Sequence, residues 1–125
     1  MNTSLILSSS ELSGLAELLG NKASEHFNSI LIEICTENYN ATDVISNLLE
    51  KRLACYEDDT LILEPFLKLI INEAYNAKSL YNPINDSYAL ICPNMHLLFS
   101  RYEWAENFWR IEPYKDKISL ISSLR

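Results

Sequence analysis

Residues 7–12 read Leu-Ser-Ser-Ser-Glu-Leu, and this short run fixes a helix start more firmly than any other stretch of the chain. Ser8 can cap a helix, and Glu11, three residues on, can reach back to the N–H of the cap, the reciprocal pattern of a capping box. Leu7 before the cap and Leu12 at the fourth helical position form a hydrophobic staple. Leu12, Leu15, Ala16 and Leu19 then share one face, and Gly20 is a natural stop.

The same reasoning runs down the chain. Asn21 can cap a second helix, in which Ala23, Phe27, Ile30, Leu31 and Ile34 recur at three- and four-residue spacing. Residues 29–35 also read as a strand. A third helix is expected from about residues 40–43, with Ile45, Leu48, Leu49, Leu53 and Tyr56 along one side. Pro65 lacks a donor and turns Glu64 away from helical geometry. It suits the first position of a fourth helix that faces Phe66, Leu67, Ile70, Ile71 and Ala74 inward. Residues 57–64 then connect helices three and four, with Leu61, Ile62 and Leu63 tucked against the core.

Asn82-Pro83 and Asn85-Asp86 carry turn chemistry, and residues 87–92 fit a short strand or a short helix. Asn94 can cap a long helix through Leu97, Leu98, Tyr102, Ala105 and Trp109, ended by Pro113. Residues 116–124 fit one more amphipathic helix, using Ile118, Ile121 and Leu124. The expected architecture is mostly α: a single compact domain over residues 1–125, of five to six helices, with room for one small β element.

Composition narrows the function. Hydrophobic residues make up 48% of the chain, which excludes intrinsic disorder. The net charge is −7, and Lys51-Arg52 is the only adjacent basic pair. A direct nucleic-acid binder needs a basic patch to displace counterions, so that class is disfavoured, as is an anionic membrane surface. The run Leu5-Ile6-Leu7 is too short for a signal peptide, and no stretch has the length of a membrane span. Three separated cysteines, Cys35, Cys55 and Cys92, suit reduced thiols in a cytoplasm. The Asn-x-Ser/Thr triplets at Asn2, Asn40 and Asn85 read as chance in a chain rich in Asn and Ser.

The charge is unevenly placed. Residues 1–64 hold eleven of the seventeen acids but three of the ten bases. Glu33, Glu37, Asp43, Glu50, Glu57, Asp58, Asp59 and Glu64 fall on consecutive elements. With Tyr56 beside them they form a candidate docking face, since a field of one sign steers a basic partner. The competing reading is a solvated linker whose acids serve solubility. Glu57, Asp58 and Asp59 make a poor metal site: they are consecutive, and a calcium loop alternates its ligands around a central glycine.

Catalysis is unsupported. Cys92 and His96 are four residues apart, but Pro93 disfavours the helical turn that would bring them together, and neither a third catalytic group nor a full zinc ligand set is in view. No Gly-rich phosphate loop or nucleophile elbow occurs. In the aromatic run 101–110, Tyr102 and Trp104 are secondary docking candidates, because aromatics beside arginine are typical interface anchors. The alternative is that all the aromatics of the run serve the core. No cofactor or metal is expected.

In size, acidity and lack of catalytic motifs, the whole chain resembles bacterial toxin-immunity proteins, both the helical colicin type and those of contact-dependent growth inhibition. The resemblance is one of profile and carries over no residue. It implies a cytoplasmic protein that binds a basic toxin domain, a nuclease in the simplest case, tightly and stoichiometrically. Two alternatives stand beside it: an acidic homodimeric chaperone or adaptor, a class usually built around a sheet, and a small thiol enzyme using Cys92 and His96.

Overall fold

The computed structural model describes residues 4–18, 25–34, 40–81, 87–104 and 106–116. Along the chain these form β1 (Leu5–Ser8), α1 (Ser9–Leu18), α2 (Glu25–Ile34), α3 (Ala41–Glu50), β2 (Ala54–Glu57), β3 (Thr60–Leu63), α4 (Pro65–Tyr75), β4 (Ser79–Tyr81), β5 (Ser87–Ile91), β6 (His96–Arg101) and β7 (Phe108–Tyr114). The strands make an antiparallel five-stranded sheet, in the order β1-β7-β6-β5-β4, and a separate two-stranded sheet, β2-β3. The fold is therefore mixed α and β, which corrects the mostly α, all-helical expectation.

The helix starts follow the local chemistry. Ser8 N donates to Glu11 Oε1 at 2.8 Å and Glu11 N donates to Ser8 Oγ at 3.0 Å, a complete capping box at the head of α1. Leu7 and Leu12 are both fully buried. Asn40 caps α3 by accepting from Thr42 N at 2.8 Å. Pro65 opens α4, and Leu67, Ile70, Ile71 and Ala74 of that helix are buried. At Gly14 in α1 an added Cβ would stand 2.6 Å from Val44 Cγ1, so the glycine lets α1 approach α3 closely. The expected stop at Gly20 and cap at Asn21 lie outside the described residues, as does residue 117 onward of the expected tail helix.

Two regions depart from expectation. Residues 96–101 and 108–114 are not parts of one long helix but the strands of the β6–β7 hairpin, paired from His96↔Tyr114 to Arg101↔Trp109. Leu97, Phe99, Trp109 and Ile111 face the helices, while Leu98 packs on the opposite face with Ala89, Ile91 and Tyr114. Apolar residues on both faces of these strands remove the two-residue alternation and imitate helical spacing. Pro113 sits in β7 opposite Leu97, beyond the stretch that pairs with β1. Asn94 caps no helix: its N and Nδ2 donate to the buried Glu73 of α4 at 2.8 and 2.9 Å, which pins the β5–β6 turn. The second departure is residues 51–64. The third helix ends at Glu50, so Leu53 and Tyr56 do not lie along it; residues 54–57 are β2, and 58–63 are not a simple connection but the turn and β3.

The two ambiguous segments separate cleanly. Within 29–35, residues 29–34 belong to α2, and residues 87–91 are a strand. The inner sheet face buries Leu5, Leu7, Leu90, Leu97, Phe99, Trp109 and Ile111 beneath α1 and α2, with Phe27 of α2 against Phe99 and Tyr75. Among the described residues no helix is long and apolar enough to cross a membrane.

Candidate docking hairpin

The acidic run lies at a sharply defined place. Glu57 and Thr60 are opposed in the ladder, so Asp58 and Asp59 alone form the turn, with φ of 47° and 66°. Two consecutive left-handed residues are the mark of a two-residue primed turn, whose twist matches that of the flanking strands. Asn-Gly is the favoured filling of such a turn, and aspartate tolerates the conformation better than most residues. The turn sets Glu57, Asp58 and Asp59 at the tip of the hairpin, all exposed. Among the described residues none of the three forms an ion pair.

Beside the tip stand two apolar side chains. Tyr56 is 56% exposed and Ile62, on the other face of the hairpin, is 40% exposed. Leu61 and Leu63 pack in part against the core, as expected of them, but Ile62 does not. Sequence reasoning missed Ile62 as a surface residue. The signal for it was the alternation in Thr60-Leu61-Ile62-Leu63 once a turn at Asp58-Asp59 is granted.

The base of the hairpin is held at both ends. Leaving α3, Leu53 N donates to Leu48 O at 2.8 Å and Arg52 N to Leu49 O at 3.1 Å, with Arg52 at φ 61°. That is a Schellman motif with arginine where glycine is usual. Lys51, just before it, places Nζ 2.7 Å from Glu11 Oε1 and 5.2 Å from the ring centre of Phe108. At the far end Glu64 N donates to Leu53 O at 2.8 Å. The Glu64 carboxylate accepts from Phe66 N and Leu67 N, each at 3.0 Å, and so caps α4.

The expected docking residues thus divide. Tyr56, Glu57, Asp58 and Asp59 share the hairpin. Asp43 and Glu50 are exposed on α3, seven residues apart and so on one stripe of that helix. Glu64 is committed to the helix cap. Glu33 lies on α2 with a side chain that is not among those described, and Glu37 is outside the described residues. Tyr102 and Trp104 sit in the β6–β7 connection. Tyr102 is partly buried under the Arg110 guanidinium, 5.5 Å from its ring centre, whereas Trp104 is 78% exposed.

Cys92 and His96 flank the β5–β6 turn. The Cys92 thiol is buried, Sγ lies 3.7 Å from Leu90 O, and burial together with the nearby Glu73 charge pushes its pKa up to about 12. A thiol held neutral in this way is a poor nucleophile. His96 Nδ1 is buried with no hydrogen-bond partner, so no base–orienter pair is formed there. Among the described residues no three His, Cys, Asp or Glu side chains converge to hold a metal ion. No protein-family model, no curated protein and no solved structure matches this chain.

Proposed function

We propose that the chain is a non-enzymatic binding module that docks a basic partner protein through the tip of the β2–β3 hairpin. One observation carries the reading: two adjacent aspartates occupy left-handed positions at an exposed turn, with Glu57 beside them. Non-glycine residues in that conformation cost about 1 kcal/mol or more each, and such strain tends to persist where the side chains serve a purpose. Exposed Tyr56 and Ile62 supply the apolar contact that charge alone lacks.

Within that class, an acidic adaptor or chaperone acting in the cytoplasm fits best, because the five-stranded sheet suits that class and not the helical immunity proteins. Inhibition of a toxin is the second reading. Its support is the same tip, where three clustered carboxylates can imitate a run of phosphates in the cleft of a nuclease.

A photoreactive residue placed at Thr60 should capture the partner in cells, and one at the exposed Ser29 of α2 should not. With the captured protein purified, the variant E57K/D58K/D59K should slow association and flatten its dependence on salt. An unchanged association rate rejects the hairpin as the docking element. Inhibition of a captured nuclease by the intact protein selects the second reading.

A further inference from the structure

Among the described residues, the outer edge of β3 in the β2–β3 sheet has no backbone partner. The bond from Glu64 N to Leu53 O, at 2.8 Å, together with the two-residue turn, sets the phase of the ladder. Leu53/Glu64, Cys55/Ile62 and Glu57/Thr60 are the hydrogen-bonded pairs, since bonded and non-bonded pairs alternate in an antiparallel ladder. Leu61 and Leu63 therefore aim their N–H and C=O groups away from β2. Among the described residues neither forms a backbone hydrogen bond outside the ladder. The start of β2 lies close to the end of α3 and Ala54 there is buried, while Cys55, Tyr56 and Glu57 are exposed; β3 has β2 as its one substantial neighbour among the described elements.

Exposed edges are usually guarded by a lysine, a proline, a bulge or extreme shortness. The outer strand β4 follows that rule, being three residues long and preceded by Lys78. Strand β3 reads Thr-Leu-Ile-Leu, with no charge, proline or bulge inside it.

We propose that this edge of β3 accepts an extended basic segment of the partner as a third strand. The inference rests on the docking reading above and adds to it the mode of binding: main-chain hydrogen bonds to Leu61 and Leu63 give the affinity, as in other cases of strand addition. The incoming strand runs parallel to β3, so its N-terminal end lies beside Glu57, Asp58 and Asp59 and carries Lys or Arg. The residue opposite Ile62 shares its exposed face and is apolar. A second copy of this chain is not the occupant. Each chain carries −7, and antiparallel pairing of β3 with itself about Ile62 would set Thr60 of one copy opposite Glu64 of the other, with Asp59 next in line.

The test uses the intact protein labelled for NMR and the synthetic peptide Lys-Arg-Thr-Val-Thr-Val-Thr-Val. Its two controls are the same peptide N-methylated at alternate residues and the peptide with Glu-Glu in place of Lys-Arg. Strand addition predicts that the basic peptide slows amide exchange at Leu61 and Leu63 by about tenfold or more. The N-methylated peptide should lose that protection, and the acidic one should bind more weakly. If the plain and N-methylated peptides shift the Glu57–Thr60 signals equally and leave Leu61 and Leu63 exchange unchanged, strand addition is overturned while docking by charge survives. If none of the peptides perturbs the hairpin, strand addition is overturned as well, and charge reversal against the captured partner decides the docking reading separately.

Discussion

Lys51 Nζ lies 2.7 Å from Glu11 Oε1, and this contact ties the end of α3 to the capping box of α1. Glu11 is 1% exposed and Lys51 35% exposed, so the carboxylate is dry while its partner is half in water. Removing the lysine leaves a buried charge without its counterion, a costly arrangement. Lys51→Ala should lower stability by about 2 kcal/mol, below the range of a fully buried pair because water screens this one. Glu11→Ala should cost more, since it also abolishes the capping box. Urea denaturation of the two single variants and the double variant measures the coupling. Additive losses would mean that the contact contributes nothing.

The close approach at Gly14 makes a second prediction. In most helices Gly→Ala stabilises by up to about 1 kcal/mol. Here the new methyl group meets Val44 at 2.6 Å, so Gly14→Ala should instead destabilise by about 1–2 kcal/mol. The double variant G14A/V44A should recover part of that loss, because the truncated valine makes room. Thermal melts of the two proteins, with Val44→Ala as reference, give the comparison.

The turn separates stability from recognition. Replacing Asp58-Asp59 by Asn-Gly should stabilise the protein by about 1 kcal/mol, because both positions lie at positive φ. The same variant, D58N/D59G, loses two carboxylates from the tip and should associate more slowly with a basic partner. A gain in melting temperature with binding kinetics unaltered would show that the acids are ornamental.

Alkaline pH probes the buried thiol. Burial raises the Cys92 pKa to about 12, and burial also raises that of Tyr75, whose hydroxyl donates to Ala16 O at 2.6 Å. Both groups stay protonated in the fold at pH values where the unfolded chain releases their protons. Their stabilising effect is complete below the unfolded pKa values of about 9 and 10 and declines above them. The unfolding free energy measured by urea titration should therefore fall as pH rises past about 9, by at most about 1.4 kcal/mol per pH unit for the thiol. Cys92→Ala should flatten the first part of that decline. In the native protein at pH 8, a thiol reagent should modify the exposed Cys55 long before Cys92.

What could be read from the sequence depended on how local the signal was. Ser8 with Glu11, Asn40 and Pro65 each act within one helical turn, and the structure uses each as its residue type predicts. The strands were hidden for two physical reasons. Their turns take positive φ at Asp58, Asp59 and Asn107, not at glycine, so the usual mark of a hairpin is missing. Leu97, Leu98 and Phe99 are consecutive and all buried, because β6 is covered on both faces, and alternation disappears. At the candidate site the acidic cluster was plain, but the fate of each acid was not. Glu64 and Asp59 look alike in sequence, yet one carboxylate closes a helix and the other stands free at a turn.

The Schellman motif at Arg52 and the cap at Glu64 bear on the kinetics of recognition. An arm anchored at both ends gave up its conformational freedom when the chain folded, and none remains to be lost when a partner arrives. Encounter and final complex should then coincide: progress curves should follow a single exponential, with a rate set by ionic strength and no slow rearrangement after contact.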